Sequence, residues 1–183
     1  MLRTCTADMT AHGGFCWPES GYVEAPDWDP SPVCGGGLHG LLHGEGDGTL
    51  LSWEPGARWL VVEVDARHAV DLDGKAKAPR AWVVHCGDRL SATADLAERC
   101  PGRAIVGGTA TAGDRGTATA GGYGTATAGD RGTATAGVGG EIRIRWWDGS
   151  RYRLAVGYVG EGGIRPGVPY RCDAAGRLVE VTP

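Results

Sequence analysis

The sequence predicts a mainly β protein: an irregular α+β N-terminal domain, then a short flattened β-solenoid with sixteen residues per coil, capped by a C-terminal β-hairpin sheet. A repeat, an alternating pattern after it and a loop-rich composition before it predict this architecture. The repeat is an octapeptide written four times in residues 108–139, as GTATAGDR, GTATAGGY, GTATAGDR and GTATAGVG. The predicted domain boundaries are residues 1–89, 90–140 and 141–183.

The N-terminal domain is predicted to consist of ordered loops and short strands. Residues 17–57 contain tryptophans, several prolines and a run of three glycines, which favour turns and loops over helices. Strands are predicted at residues 58–66, 68–72 and 81–86, and short helical turns at residues 38–43 and 94–99.

The octapeptide itself predicts strands separated by corners. Each copy has a Thr-Ala-Thr-Ala run after its first glycine, and β-branched threonine suits a pleated strand. A glycine-centred break follows, because glycine adopts the strained backbone that a tight corner needs. Residues 90–94, Leu-Ser-Ala-Thr-Ala, are predicted to be a degenerate repeat that starts the stack.

Strand alternation assigns the side chains of the repeat to an inner and an outer side. Only small groups fit inside a thin solenoid, so the alanines should point inward: Ala110, Ala118, Ala126 and Ala134. The outward threonines form the predicted binding surface. They stack on one face as Thr109 and Thr111 with Thr125 and Thr127, and on the other face as Thr117 and Thr119 with Thr133 and Thr135.

Two β-hairpins are predicted after the repeats. Residues 141–147 and 151–156 alternate around a turn at Asp148-Gly149, and residues 170–172 and 178–181 flank a second turn. Four arginines in the first hairpin form a candidate patch for an anion or a partner: Arg143, Arg145, Arg151 and Arg153. The alternative is that these arginines are the solvated side of a two-layer sheet.

Composition and charge limit the class of protein. The net charge is −4, which argues against a broad nucleic-acid surface. No segment approaches the roughly 20 apolar residues that span a bilayer, and the N-terminus lacks the apolar run of a secretory signal. A cytoplasmic location is therefore expected. Only Lys75 and Lys77 among the 18 basic residues are lysines, a bias typical of GC-rich actinobacterial or phage genes.

Cysteines and histidines give a weak zinc hypothesis. Cys16, Cys34, His39 and His43 are ligand types that could close a tetrahedral site. Structural zinc sites contain cysteine pairs two to four residues apart, and this chain has no such pair. The alternative, buried thiols and loop histidines, is favoured, so no metal or other cofactor is predicted.

The segment Ala-Gly-Gly-Tyr-Gly-Thr-Ala-Thr-Ala-Gly at residues 120–129 resembles the tandem repeats of bacterial ice-nucleation proteins. In that family the Thr-x-Thr ladders order water. The resemblance implies a β-solenoid with outward threonines and a water-ordering role as one functional alternative.

The layout of the whole chain resembles a group of phage and bacterial proteins that place a Cys-x-x-Gly-Phe-His-type domain ahead of such repeats. The matching stretch here is Cys-Gly-Gly-Gly-Leu-His at residues 34–39, with leucine where the motif has an aromatic residue. This resemblance implies a phage or bacterial source, and a host-cytoplasmic location if the protein is phage-encoded.

Three functional hypotheses follow. The first is a non-enzymatic structural or interaction protein that presents its Thr-rich surface to a protein partner or to a second copy. The second is an ice-binding protein. The third is a small ADP-ribosyltransferase-like enzyme or a phage protein that modulates host defence, with His39 and Glu63 as candidate residues. No nucleophile–base pair or phosphate loop supports an enzyme, and neither a membrane nor a nucleic acid is an expected partner.

Overall fold

A computed structural model describes residues 1–181 and divides the chain into two compact units, Met1–Gly102 and the residues from Arg103 onward. As predicted, the protein is mainly β: the described residues form several antiparallel and mixed sheets and one α-helix. Within them, no helix combines the length and apolar character that crossing a bilayer requires.

The first unit contains two antiparallel sheets. The larger sheet has the strand order β1–β4–β7–β2, and the smaller has the order β3–β6–β5. In chain order the strands are β1 (Leu2–Cys5), β2 (Gly21–Glu24), β3 (Leu38–Gly40), β4 (Arg58–Glu63), β5 (Val70–Asp71), β6 (Ala76–Ala78) and β7 (Arg80–Gly87).

Strand β4 is an inner strand of the larger sheet, and both of its faces are covered. Four consecutive residues, Trp59 to Val62, are buried, and side chains that alternate between faces can all be buried only if each face has a neighbour. Leu60 and Val62 join Val83 of β7 in the main core of this unit. Helix α1 (Arg89–Arg99) contacts β4 and β7.

Helix α1 corrects one prediction. Residues 90–94 do not form a degenerate repeat, because a capping box starts a helix there: the Asp88 carboxylate accepts from the Ser91 backbone N–H, and the Ser91 hydroxyl accepts from the Asp88 N–H. Ala92 and Leu96, four residues apart on one helix face, are buried. The turn predicted at residues 94–99 is thus the second half of a longer helix.

The loop-rich segment contains more strand than the sequence predicted. Residues 38–43 do not form a helical turn: Leu38–Gly40 is strand β3, paired with β6, and a 3₁₀ turn follows at Leu42–Gly44. Further 3₁₀ turns lie at His12–Gly14 and Gly48–Leu50. The predicted strands at 58–66, 68–72 and 81–86 correspond to β4, β5 and β7, which differ from them in their bounds.

The second unit contains two sheets with the strand orders β13–β12–β10–β8 and β15–β14–β11–β9. In chain order the strands are β8 (Thr109–Ala112), β9 (Thr117–Thr119), β10 (Thr125–Ala128), β11 (Thr133–Thr135), β12 (Glu141–Trp147), β13 (Tyr152–Tyr158), β14 (Tyr170–Cys172) and β15 (Leu178–Glu180). Each sheet is parallel among the repeats and antiparallel towards the C-terminus.

The repeat strands pair in register with the strand sixteen residues away. Ala126 lies opposite Ala110 in the first sheet, and Ala134 opposite Ala118 in the second. Ala118, Ala126 and Ala134 are buried, and Ala110 is half-buried. The inward orientation of the alanines is therefore confirmed. Ile142 and Ile144 of β12 complete the same core.

The corners of the repeat recur with the same period of eight residues. The last residue of each octapeptide copy, just before the next glycine, has a left-handed backbone. These residues are Arg115, Tyr123, Arg131 and Gly139. L-residues other than Asn and Asp rarely adopt this conformation, so the flanking contacts must hold it in place.

Glycine is required in the corners because backbone packs on backbone there. A Cβ on Gly129 would lie 2.5 Å from the Asp114 nitrogen, and one on Gly132 would lie 2.8 Å from the Ala128 Cβ. At Gly122 the nearest atom to such a Cβ is the Val138 oxygen, at 3.4 Å.

Both predicted hairpins are confirmed. Strands β12 and β13 pair antiparallel over their full length around the turn at residues 148–151, and β14 pairs with β15. The Asp148 carboxylate accepts from the backbone N–H groups of Ser150 and Arg151, which closes the first turn.

A substitution at the corners tests this packing. Gly129→Ala should destabilise the protein by about 1–3 kcal/mol or more, because the added methyl group overlaps the backbone of the neighbouring corner. Gly122→Ala is the matched control and should change the free energy of unfolding by about 0.5 kcal/mol at most. Urea denaturation measures both, and equal losses would contradict the packing described here.

Candidate binding surfaces

The threonines lie where the sequence predicted them, in two outward sets, one on each sheet of the second unit. Thr109 and Thr111 are exposed and lie opposite Thr125 and Thr127, which are half-buried. The other sheet has the same arrangement: Thr117 and Thr119 lie opposite Thr133 and Thr135. Paired strands are about 4.8 Å apart, so each set is a regular two-by-two grid of hydroxyl and methyl groups.

The first grid continues onto β12 with charged residues in place of threonine. Glu141 lies opposite Thr125 and Arg143 opposite Thr127. The Arg143 guanidinium donates to the Glu141 carboxylate at 2.7 Å. Exposed ion pairs of this kind stabilise a fold little, so this row mainly sets the polarity of the surface.

Arg145, next along β12, joins the hairpin to a repeat corner. Its guanidinium donates to the Asp114 carboxylate at 2.8 Å and lies 4.5 Å from the centre of the Tyr152 ring. The Asp130 backbone N–H and Arg145 together lower the pKa of Asp114. The carboxylate therefore stays charged well below neutral pH.

Strand β13 carries a row of exposed apolar side chains that the sequence analysis missed. Tyr152, Leu154, Val156 and Tyr158 are 43–54% exposed. Ala155 and Gly157 point inward, and a Cβ on Gly157 would lie 2.2 Å from the Ile164 side chain. The signal was present in the sequence, because small residues alternate with large ones just as they do in the repeat.

The four arginines of the candidate patch are not brought to one face. Arg145 lies opposite Leu154, whereas Arg153 lies opposite Trp146 and so on the other face of the hairpin. Directly paired residues of an antiparallel hairpin point to the same face. Because odd-numbered residues of β12 pair with even-numbered residues of β13, an odd-numbered arginine on β12 and an odd-numbered arginine on β13 point to opposite faces. Arg151 precedes β13, and Arg153 donates to Asp148.

Asp148 organises the tip of the hairpin. The Arg151 backbone N–H, the Arg153 guanidinium and the backbone and side chain of Ser150 hold the pKa of this carboxyl well below its usual range. The Arg153 guanidinium therefore stabilises the turn, and Arg151 contributes to the same turn through its backbone N–H.

The four zinc candidates are separated in the first unit. The His43 Nδ1 lies 3.7 Å from the Cys100 sulfur, and the Cys16 thiol contacts the Gly14 carbonyl. Cys34 and His39 line one cavity, which neither Cys16 nor His43 reaches. Among residues 1–181 no three His, Cys, Asp or Glu side chains are grouped as a metal site.

The structure also does not bring together His39 and Glu63, the two candidate residues of the enzyme hypothesis. Glu63 does not line the cavity that holds His39, and its carboxylate accepts from the Arg99 guanidinium at 3.0 Å.

Cys34 is the chemically distinctive thiol of this unit. It is exposed, and the Lys75 Nζ lies 3.0 Å from its sulfur. The hydrogen bond and the positive charge of Lys75 lower the pKa of the Cys34 thiol. A larger thiolate fraction at neutral pH makes a cysteine more reactive towards alkylating agents.

Alkylation tests the contact between Lys75 and Cys34. Iodoacetamide should modify Cys34 more slowly in a Lys75→Met variant than in the wild type at pH 7, because the thiol pKa rises when the ammonium group is removed. Peptide mass spectrometry gives the rate, with Cys16 as an exposed internal reference. Equal Cys34 rates in the two proteins would contradict the contact.

Comparison with known proteins finds ice nucleation proteins among the relatives. The protein InaU of Pantoea ananas is 46% identical over 94 residues, which is 50% of this chain and 9% of InaU. An ice nucleation protein of Pseudomonas syringae is 44% identical over 101 residues, or 54% of this chain and 9% of that protein. One from Xanthomonas campestris pv. translucens is 42% identical over 102 residues, 55% of this chain and 6% of the relative.

The chain thus spans less than a tenth of the length of these relatives. No solved structure matches it. A family model described as a domain of unknown function, DUF7666, matches residues 1–96, more than half of the chain. The chain therefore belongs to the DUF7666 family and is homologous over about half its length to ice nucleation proteins.

Proposed function

We propose that the second unit is a short, flattened β-solenoid and acts as a non-enzymatic interaction module. The parallel pairing of strands sixteen residues apart, the inward alanines and the eight-residue period of the corners support the solenoid. The homology to ice nucleation proteins supports a repeat protein and gives no catalytic role.

The observation that carries the interaction role is the outward face of the sheet ending in β13. Across this face, the threonines of β8 and β10 are followed by the Glu141–Arg143 ion pair on β12 and then by the exposed apolar row of β13. Contiguous exposed apolar side chains mark interaction surfaces in soluble proteins.

Strand β13 also ends its sheet within the described residues, so one backbone edge has no strand beside it. An open, apolar edge strand is a template for pairing with another strand. Antiparallel pairing of β13 with its own copy is self-complementary about a two-fold axis. A second copy of the chain is therefore the partner that this edge fits best.

The oligomeric state tests this proposal. The wild type should shift from monomer towards dimer as concentration rises in sedimentation velocity. The double variant Leu154→Lys, Val156→Lys should weaken the dimer about tenfold or more, because like charges then face each other across the paired strands.

A matched control uses the same face at the opposite end of the sheet. Thr109→Lys with Thr111→Lys adds the same charge on β8 and should leave the dimer constant nearly unchanged. A wild type that stays monomeric at every concentration, or equal weakening by both double variants, would contradict association through β13.

Ice binding is the second candidate function. The threonine grids and the names of the relatives favour it. Each grid has only two rungs, however, so the area offered to an ice surface is small.

Ice-crystal growth separates the two functions. If the module serves protein association, the purified chain should not arrest or reshape ice crystals in a nanolitre osmometer, because two rungs bind too little of the crystal surface. Clear thermal hysteresis in the wild type that disappears in Thr111→Lys with Thr127→Lys would instead establish ice binding.

A further inference from the structure

The first unit contains a cavity of about 880 Å³ that the interaction role of the second unit does not use. Its walls include the turn before Trp17, the glycine run Gly35–Gly37, strand β3 and Lys75. The volume lies within the range of small-molecule sites, roughly 300–1,000 Å³.

Two cations line this cavity without a carboxylate partner in the described part of the chain. The Arg3 guanidinium donates to the backbone oxygens of His39, at 3.1 Å, and Thr4, at 3.4 Å, and its Nε has no partner. It also stacks 3.8 Å from the centre of the Trp17 ring. Within residues 1–181, the Lys75 ammonium group donates to the Cys34 sulfur and forms no ion pair.

The acidic groups nearby compensate part of this charge. The Asp27 carboxylate also lines the cavity, where it accepts from the Gly37 backbone N–H at 3.1 Å. The Cys5 thiol faces Arg3, but burial raises its pKa and keeps it neutral at pH 7. The cavity therefore holds two cations, Arg3 and Lys75, against one carboxylate and the Cys34 thiol, whose pKa Lys75 lowers.

His39 responds to that charge and offers a buried polar atom. Burial, followed by the charges of Lys75, Lys77 and Arg3, lowers its pKa, so the ring is neutral at pH 7. Its Nε2 is buried and has no hydrogen-bond partner among the described residues. Buried polar atoms are nearly always satisfied, and His39 is one of the residues that line the cavity, so a ligand there can supply the partner if the neutral ring carries its proton on Nε2.

Lys77 fixes the glycine-rich wall. It has no exposed surface, and its ammonium group donates to the Val33 and Gly35 backbone oxygens at 2.9 Å each. Burying a charge is costly unless it is fully bonded, so this arrangement favours one fixed loop conformation. The only two lysines of the chain both bond to residues of this loop.

Aromatic and leucine side chains form another part of the cavity wall. Phe15 and Trp17 pack edge to face with ring centres 5.8 Å apart, and Leu38, Leu50 and Leu51 lie along the wall. We propose that this cavity binds a small organic anion, with its carboxylate or phosphate group at Arg3, His39 and Lys75 and its apolar body against Trp17 and the leucines.

A titration followed by amide NMR of the full chain tests this site. The probes are benzoate and phenyl phosphate, which represent the two oxyanion classes, and benzyl alcohol, which has a similar body without charge. At least one anion should bind saturably, with shifts centred on Gly35–Gly37 and His39. The tighter of the two anions assigns the class, and benzyl alcohol should bind much more weakly.

Variants connect the binding to the named residues. Lys75→Met should weaken the anion about tenfold or more, the loss expected for one charge-assisted hydrogen bond. His39→Gln should also weaken anion binding, and it provides the test if Lys75→Met does not fold. Arg67→Met removes an exposed cation outside the cavity and should have no effect. The proposal fails if neither anion saturates, if benzyl alcohol binds equally well, or if affinity is unchanged in folded Lys75→Met and His39→Gln.

Discussion

The narrow gap between the two sheets of the second unit is the constraint on which the rest of that unit depends. Alanine methyl groups such as those of Ala126 and Ala134 fill it, and larger groups would push the sheets apart. Within the repeats the inner positions are small and the threonine hydroxyl groups point outward, whereas Ile142 and Ile144 of β12 fill the end of the same core. The same rule extends to β13, where Ala155 and Gly157 turn inward and leave larger side chains in solvent.

Local periodicity made much of the second unit predictable from the sequence. The alternation of Thr109 and Ala110, the sixteen-residue pairing and both hairpins follow from the spacing of residue types alone. Which residues share a face across a hairpin depends instead on its register. Without that register, Arg145 and Arg153 could not be placed on opposite faces.

The first unit was less predictable because a local helix-capping signal precedes an apparent repeat and because tertiary contacts decide other parts of its local structure. The capping box at Asp88 turned an apparent repeat into helix α1, and pairing with β6 made a strand of Leu38–Gly40. The cavity has no short sequence motif, since Arg3, His39 and Lys75 come from distant segments. The sequence contained one compositional signal for the cavity, because the only two lysines of the chain lie two positions apart. In the structure both lysines bond to residues of one loop.

Hydrogen exchange of strand β13 as a function of protein concentration tests the interaction role most directly. The amides of β13 that do not bond to β12 face the open edge of the sheet and exchange quickly in a monomer. If two copies pair through this edge, those amides should become protected as concentration rises, while the amides of β8 stay unchanged. Fast exchange along the β13 edge at every concentration would contradict the account.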